Sequence, residues 1–119
     1  MVVKQGDIYW VSLDGQAGLE PAFTHPHVII QDNVLNRSSI NTVVICRITS
    51  NIKQAKAPGN VLLEAGEANL RKQSVVVVSQ IYTVDKKQLG EYIGSLPRPR
   101  IEQILAGMNF LQLMTEHQL

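Results

Sequence analysis

The chain has 119 residues, 45% of them hydrophobic, which is long enough for one buried core and short for two. Eleven basic and ten acidic residues leave a formal net charge of +1. That balance excludes a protein that binds nucleic acid mainly through bulk positive charge, so any such function requires a local basic patch.

The cysteine count and the apolar runs restrict the compartment. Cys46 is the only cysteine, which excludes an internal disulfide and favours a reducing compartment. The N-terminus shows no basic segment followed by a long apolar run. The longest apolar runs, 43–46 and 75–78, fall far short of the ~20 residues of a membrane-spanning helix. We expect one cytoplasmic domain over residues 1–119, without membrane contact.

The first half of the chain predicts three strands with polar connections. Residues 7–13 form an alternating first strand closed by turn residues, and residues 15–26 form a long loop rich in Gly and Pro. Residues 27–31 form the second strand, followed by a polar connection over 32–41. Residues 42–49 are an apolar run broken by one charge, typical of a strand buried on both faces until its end.

The second half adds strands and one helix. We predict a short strand at 61–64, a helical turn at 66–70 and the strongest strand at 75–84. Helical spacing of apolar residues after two prolines predicts an amphipathic helix over 98–116. Five or more short strands followed by one packing helix indicate a mainly β fold, a small and strongly curved antiparallel sheet or barrel. The helix carries more apolar residues than one small barrel needs: Phe110, Leu113 and Met114.

The third strand carries the first candidate site residues. Strand alternation places Arg47 and Thr49 on one face, near the strand end. A guanidinium and a hydroxyl side by side can bind an anion such as a phosphate. The alternative is a surface arginine paired with a neighbouring carboxylate, which is the commoner arrangement for a charged residue.

The segment His25-Pro26-His27 permits three interpretations. Two histidines in this spacing can face one metal ion, but no third ligand stands at a diagnostic spacing, so we predict neither a metal site nor a cofactor. They can also be ordinary polar residues where a loop enters a strand. In the third interpretation a histidine of pKa ~6.5 gives and takes protons at cellular pH, which suits catalysis.

Other polar and aromatic residues remain open at this level. Four basic residues near the polar strand ends form either a basic rim or ordinary solvated surface: Lys53, Lys56, Arg71 and Lys72. Cys46 points away from Thr49 and is expected in the core, without a nucleophilic role. Trp10 and Tyr9 can stack on a base, although an aromatic residue in a barrel strand more often belongs to the core.

Six segments in collinear order resemble the MazF/PemK family of toxin ribonucleases. They are GDIYWVSLD, Gly18-Leu19-Glu20, His25-Pro26 at the start of HVIIQ, ICRITSN, PGNVLL and LRKQSVVVVSQIYTVDK. Together they cover nearly the whole chain. The resemblance implies an SH3-like barrel with a C-terminal helix, assembled as a homodimer.

The resemblance also implies an activity and a partner. The activity is metal-independent cleavage of single-stranded RNA at a short sequence. The 2′-hydroxyl attacks the phosphate, which leaves a 2′,3′-cyclic phosphate and a 5′-hydroxyl. The partner is a cognate antitoxin, a small acidic and partly disordered protein that blocks the site.

The family pattern assigns roles to particular residues. Thr49 matches a strand-end threonine that binds the scissile phosphate, Glu20 matches a glutamate that helps to order the first long loop, and Gln80 matches positions near the RNA groove. With the basic rim and the polar strand end, the expected substrate contacts are Glu20, Ser50, Lys53, Lys56 and Gln80. An acid–base pair used by some PemK-like members does not carry over, because Val77 and Ser79 occupy those positions.

The chain departs from the family pattern at His25, where the family has an arginine before the proline. Arginine stays protonated and forms a planar fork to a phosphate, which histidine cannot duplicate. We expect His25 to transfer protons and Arg47 to restore the missing cation, so the expected catalytic residues are His25, Arg47 and Thr49.

Two other functions fit the same pattern. The first is a non-enzymatic toxin of this fold that inhibits a protein such as gyrase and depends on its C-terminal residues, so deletion of residues 116–119 distinguishes it from a ribonuclease. The second is a catalytically dead homologue that binds RNA or an antitoxin without cleaving RNA.

Overall fold

The computed structural model describes residues 2–13 and 24–118, with side chains as far as residue 112. Within these ranges six strands are present: β1 Asp7–Ser12, β2 Thr24–Ile29, β3 Thr42–Thr49, β4 Val61–Leu63, β5 Ser74–Asp85 and β6 Leu89–Ser95. Two α-helices are α1 Asn33–Asn36 and α2 Arg98–Gln118. Short 3₁₀ turns lie at Ile52–Lys56, Glu67–Asn69 and Lys86–Gln88.

The strands form one antiparallel sheet in the order β4-β5-β3-β2-β1-β6. Its edge strands, β4 and β6, are not paired with each other in the described part of the chain. The turn Glu67–Asn69 bridges them instead, because Asn69 Nδ2 donates to the Ile93 carbonyl at 2.9 Å. The turn that follows β4 therefore contacts β6, the opposite edge of the sheet. The predicted class, an SH3-like mainly β fold with a C-terminal helix, is confirmed, but backbone pairing does not close the barrel.

β2 begins at Thr24, inside the segment predicted as loop. The prediction was wrong over residues 24–26 because Pro26 lacks a backbone N–H and normally marks a loop or an edge. β1 pairs with β2 as far as Thr24, whereas β3 pairs with it only from His27 to Ile29. On the β3 side, Pro26 therefore lies beyond the end of the ladder. Residues 14–23, the rest of the predicted loop, lie outside the described residues.

β6 was not identified from the sequence, because two glycines interrupt its apolar pattern. Both are required by close packing. A β-carbon at Gly90 would lie 2.6 Å from the Trp10 carbonyl oxygen, and one at Gly94 would collide with the Ala68 carbonyl oxygen. Glycine thus weakens the strand signal at the positions where other backbone segments approach β6.

β3 is buried on both faces, as predicted. Cys46 and Ile48 belong to a core cluster beneath α2 that also contains Ile104. Val43 and Ile45 belong to a second cluster. Because successive residues of a strand point to opposite faces, one apolar strand supplies both cores.

α2 packs one face on the sheet, in agreement with the predicted periodicity. Ile101 and Ile104 are buried, and the other three predicted contacts are partly buried against the same cluster: Leu105, Met108 and Leu111. Arg100 makes two hydrogen bonds to the Glu67 carboxylate, at 2.9 and 2.7 Å. The helix is thereby joined to the turn that bridges the sheet edges. Neither described helix is long and apolar enough to cross a membrane.

His27 is a polar residue enclosed in the sheet, with 1% of its surface exposed. Its ring packs edge-on against Tyr82, with centroids 6.0 Å apart. Burial disfavours the charged imidazolium and lowers the pKa of His27 from 6.5 to about 4. The folded state therefore holds this histidine neutral while the unfolded chain protonates near pH 6.5, so its stabilising effect is complete above pH 6.5 and is lost as the pH falls toward 4.

We predict that a His27→Phe variant loses less stability on acidification than the wild type. For the pKa values above, the wild type should lose about 2 kcal/mol more than the variant between pH 7 and pH 5. Urea unfolding at both pH values measures this difference. His25→Phe is the matched control, because that ring is only partly buried and should change the pH dependence less. An equal loss in wild type and His27→Phe would contradict a depressed His27 pKa.

Candidate active site

A groove of about 680 Å³ opens where the β2–β3 ladder ends. His25 and Pro26 of β2 form one part of its wall, and Arg47 and Thr49 of β3 form another. β1, β6 and the segment before β5 complete it. The last paired residues are His27 and Arg47, so the two strands separate at the groove floor.

The structure brings four of the predicted site residues together in this groove: His25, Arg47, Thr49 and Ser50. Lys53 and Lys56 are exposed on the adjacent 3₁₀ turn and do not line it. Gln80 lines a separate cavity of about 350 Å³ between β5, the segment before β4 and α2. Glu20 lies outside the described residues. The functional roles of all these residues stay predictions.

Arg47 is aimed by a large irregularity in the sheet. In the β3–β5 ladder Cys46 pairs with Ile81 and Ile48 pairs with Val76, so residues 77–80 lie opposite Arg47 alone. Bulges of this kind redirect a side chain and recur beside active sites.

Two side chains fix the bulge. The Cys46 thiol donates to the Val77 carbonyl at 3.1 Å, and Asn60 Oδ1 accepts the Val78 N–H at 3.0 Å. Cys46 is fully buried, and burial raises the pKa of its thiol to about 12. The expectation that Cys46 is a core residue is confirmed, and its thiol has the further task of satisfying the bulge.

His25 and Arg47 contact each other directly. The Arg47 Nη2 to His25 Nε2 distance is 3.4 Å. A guanidinium can only donate, so Nε2 must accept, and the neutral His25 ring carries its proton on Nδ1. Burial, and then the positive charge of Arg47, lower the pKa of His25 below its ordinary 6.5. At neutral pH the groove therefore presents an uncharged imidazole beside a permanent cation.

Thr49 is held at the mouth of the groove. Its Oγ1 accepts the Asn51 backbone N–H at 3.2 Å, and the Asn51 side chain caps the following 3₁₀ turn at Lys53 N. A hydroxyl that accepts one hydrogen bond can still donate its own proton. Thr49 and the Arg47 guanidinium thus both offer donors to a ligand in the groove.

The charge of the groove favours an anion. Arg47, Arg71 and Lys72 line it, against the single carboxylate of Glu91 among the described residues. No described carboxylate forms an ion pair with Arg47, so the ordinary arrangement of a paired surface arginine is not observed. Of the four basic residues that the sequence offered as a rim, Arg71 and Lys72 line the groove and Lys53 and Lys56 do not. Although the net charge of the chain is only +1, positive charge is concentrated in this groove.

Two aromatic residues extend the groove wall. Trp10 is 41% exposed in the groove, whereas its neighbour Tyr9 is buried in the core. The alternation of β1 thus assigns one aromatic residue to each environment, which the sequence alone did not decide. Tyr92 was missed with β6. Its hydroxyl is hydrogen-bonded to Ser95, which donates to the buried Asp7 at 2.7 Å.

The histidine pair lacks the further ligands of a metal centre. Among the side chains of residues 2–13 and 24–112, no three of His, Cys, Asp or Glu are placed to hold an ion together. His27 Nδ1 is 2.8 Å from the His25 carbonyl oxygen. Because a carbonyl only accepts, that nitrogen is a protonated donor and cannot ligate a metal.

Comparison with known proteins gives the relatives of this chain. Residues 4–111 match the family of PemK-like, MazF-like toxins of type II toxin–antitoxin systems. Endoribonuclease MazF6 of Mycobacterium tuberculosis is 36% identical over 91% of this chain and 95% of its own length. Endoribonuclease EndoA of Bacillus subtilis is 33% identical over 87% of this chain and 89% of its own length.

Solved structures share the fold. MazF from Deinococcus radiodurans superposes with a TM-score of 0.73 at 20% identity and covers 94% of this chain and 97% of its own. A mycobacterial endoribonuclease in complex with its cognate antitoxin gives 0.67 at 20% identity, over 90% and 89% of the two chains. The family match spans nearly the whole chain, and the curated relatives align over most of their own length. The chain belongs to the PemK-like, MazF-like toxins of type II toxin–antitoxin systems.

Proposed function

We propose that this chain is a toxin endoribonuclease that cleaves single-stranded RNA in the cytoplasm. The observation that carries the proposal is the convergence of a neutral histidine, an arginine and a threonine hydroxyl in one cationic groove: His25, Arg47 and Thr49. The names of its relatives, which are endoribonucleases, support the same activity. A reducing compartment suits a chain whose one cysteine is a buried free thiol.

The groove suits an RNA strand in shape and chemistry. Its cations can follow the phosphate backbone, while Trp10 and Tyr92 can stack on bases. Arg47 and Thr49 can donate to the oxygens of one phosphate. Unstacked bases of a single strand reach such aromatic side chains, whereas paired bases do not.

The proposed reaction is an internal transfer within the RNA. The 2′-oxygen forms a bond to phosphorus, the bond from phosphorus to the 5′-oxygen breaks, and a proton moves overall from the 2′-hydroxyl to the 5′-oxygen. His25 accepts the 2′-hydroxyl proton, since its lowered pKa keeps it unprotonated at neutral pH. Arg47 and Thr49 stabilise the negative charge that develops on the phosphate oxygens. The RNA supplies the nucleophile, so the proposal includes no metal ion or cofactor.

Substrate binding should make His25 a better base. In the free protein the charge of Arg47 disfavours protonation of His25. A phosphate that binds the guanidinium compensates this charge and draws Nη2 away from His25 Nε2. The pKa of His25 then rises, and its Nε2 lone pair becomes available to the 2′-hydroxyl. Arg47 thus keeps His25 unprotonated before RNA binds and stabilises the phosphate after it binds.

We predict that replacing either catalytic residue strongly slows cleavage. His25→Ala should lower the rate by about 100-fold or more, as expected for loss of a general base. Arg47→Ala should cost about 2–4 kcal/mol of transition-state stabilisation. The measurement is cleavage of a long RNA in excess chelator, with exposed Lys87→Ala as a charge-loss control outside the groove. Wild-type rates in both active-site variants, or cleavage only after a divalent ion is added, would contradict the mechanism.

The pH profile separates proton transfer from charge stabilisation. With His25 as base, kcat/KM of the wild type should rise through an inflection below pH 6.5. His25→Arg restores the family residue, and it should recover part of the activity of His25→Ala without that inflection, because arginine does not titrate in proteins. An unchanged inflection in His25→Arg would assign the titrating group to another residue.

We further propose that two chains form a homodimer through the apolar surface at the end of α2. Phe110 is 44% exposed in the single chain, beside Leu111, which lines the 350 Å³ cavity. Leu113 and Met114, predicted to extend this surface, lie beyond the described side chains. Exposed apolar surface that continues into an apolar cavity is typical of a protein–protein interface.

The predicted mass in solution is about twice 13.2 kDa at micromolar concentration, measured by sedimentation equilibrium. Phe110→Asp should shift the equilibrium toward the monomer, because it places a charge in the proposed interface. Exposed Gln103→Asp, earlier on α2, is the control and should remain dimeric. A wild-type chain that sediments as a monomer would contradict the proposal.

The cognate antitoxin should occupy the same groove as RNA. We propose an acidic, partly disordered segment that binds Arg47, Arg71 and Lys72 and folds as it binds. A saturating antitoxin should abolish cleavage, and an uncleavable RNA should displace it competitively in fluorescence anisotropy. Cleavage that persists with antitoxin bound would show that the two sites are separate.

A further inference from the structure

Two buried nitrogen atoms beside the groove have no hydrogen-bond partner among the described residues: His27 Nε2 and Arg47 Nε. They belong to residues that face each other directly in the β2–β3 ladder. Side chains at such paired positions lie on the same face of the sheet, with β-carbons about 4.5–5.5 Å apart. The two side chains are therefore neighbours across one strand pair, and each has an unpaired buried nitrogen.

The chemistry of these atoms is complementary. His27 Nδ1 donates its proton to the His25 carbonyl, so the neutral ring leaves Nε2 as a bare acceptor. Arg47 Nε always carries a proton and can only donate. Buried polar groups of a folded protein are almost always paired, with protein atoms or with an ordered water.

We propose that one buried water joins the Nε–H of Arg47 to His27 Nε2, and that His27 is a positioning residue for the catalytic arginine. Held at Nε from below, the guanidinium presents both terminal nitrogens to the groove. In the free protein Nη2 contacts His25. The two terminal nitrogens of the guanidinium, Nη1 and Nη2, can together form a planar fork to a phosphate. The catalytic meaning of this contact rests on the proposed function, but the hydrogen bond itself does not.

The surroundings of His27 keep it in the required form. Tyr82 of β5 packs against its ring, Tyr9 of β1 is its partner in the ladder, and Arg47 of β3 is the cation beside it. Within the described residues no carboxylate pairs with His27. Burial, and then the nearby His25 and Arg47, disfavour an imidazolium at His27. A charged ring would also place a second N–H against the Nε–H of Arg47. His27 thus acts as a fixed acceptor and does not switch with pH in the neutral range.

Two polar substitutions separate the two nitrogens of the ring. His27→Asn places an amide near Nδ1, so it keeps a donor for the His25 carbonyl and removes the distant acceptor. His27→Gln reaches the position of Nε2 and restores an acceptor for Arg47. Both variants place a side-chain amide at the same buried position, so both should lose a similar amount of folding stability. A difference in activity between them therefore reports on the acceptor and not on stability.

The direct readout is NMR of the folded protein without RNA. Long-range ¹⁵N–¹H spectra should show the wild-type His27 ring protonated at Nδ1 and bare at Nε2. The Arg47 Nε–H should exchange with water at least about tenfold faster in His27→Asn than in the wild type, and His27→Gln should restore slow exchange. A wild-type ring protonated at Nε2, or equal exchange in wild type and His27→Asn, overturns the proposal. The tautomer of His27 in the wild type tests the proposal even if a variant fails to fold, because a ring protonated at Nε2 cannot accept a hydrogen bond there.

The second readout is catalysis. If the arginine is misplaced, kcat should fall by about 10- to 100-fold in His27→Asn with KM little changed, and His27→Gln should recover most of it. Loss of kcat that the Gln variant does not recover would assign His27 a purely structural role. A wild type that cuts no RNA would refute the proposed function alone, because the NMR comparison still decides whether His27 holds Arg47.

Discussion

The groove begins where backbone pairing between β2 and β3 ends, and that end coincides with a residue that has no backbone N–H. Pro26 lies directly before His27, the last β2 residue paired with β3. The proline cannot continue a ladder that requires its donor. β2 is therefore bound on one side by β1 while its other side is released. That release gives His25 and Thr49 a space between strands that would otherwise be filled by a continuing sheet.

The partner strand adapts to the same opening. Opposite Arg47, β5 accommodates four residues, and the thiol of Cys46 and the amide of Asn60 bond to the backbone groups that this bulge releases. The site thus lies between two interruptions of one sheet: the β2–β3 ladder ends there, and the β3–β5 ladder contains a bulge. β2 stays paired with β1 beside the first interruption, and β5 with β4 beside the second, so His25 and Arg47 are held by paired strands although they line an open groove.

Much of this architecture follows from local sequence signals. The run that became β3 is apolar on both faces, and its two core clusters follow directly from strand alternation. Arg47 and Thr49, which the same alternation placed on one face, both line the groove. The helix start and its buried face follow from two prolines and a 3.6-residue period. These features depend only on neighbours in the chain.

The features that sequence could not give depend on contacts between distant segments. A proline such as Pro26 predicts a loop from sequence alone. In the fold it belongs to β2, because β2 stays paired with β1 at this position while its pairing with β3 has ended. Gly90 lowers the strand signal of β6 because the Trp10 carbonyl needs its space, and that contact exists only in the folded sheet. One interpretation of the spacing of His25 and His27 turned both rings toward one metal ion, yet His27 is nearly enclosed and His25 lines the groove. Burial depth, which distinguishes a titrating base from a fixed acceptor, is a property of the whole fold.

The two edges of the sheet, β4 and β6, differ from the long, exposed edge strands that add further strands. An open sheet offers two rows of unpaired backbone groups to any extended segment nearby. Here β4 is only three residues long, which gives an incoming strand little to pair with. On the opposite edge, the Asn69 amide already occupies the Ile93 carbonyl, and the turn that carries it leans over β6. Both edges are therefore poor templates for the addition of an extended strand.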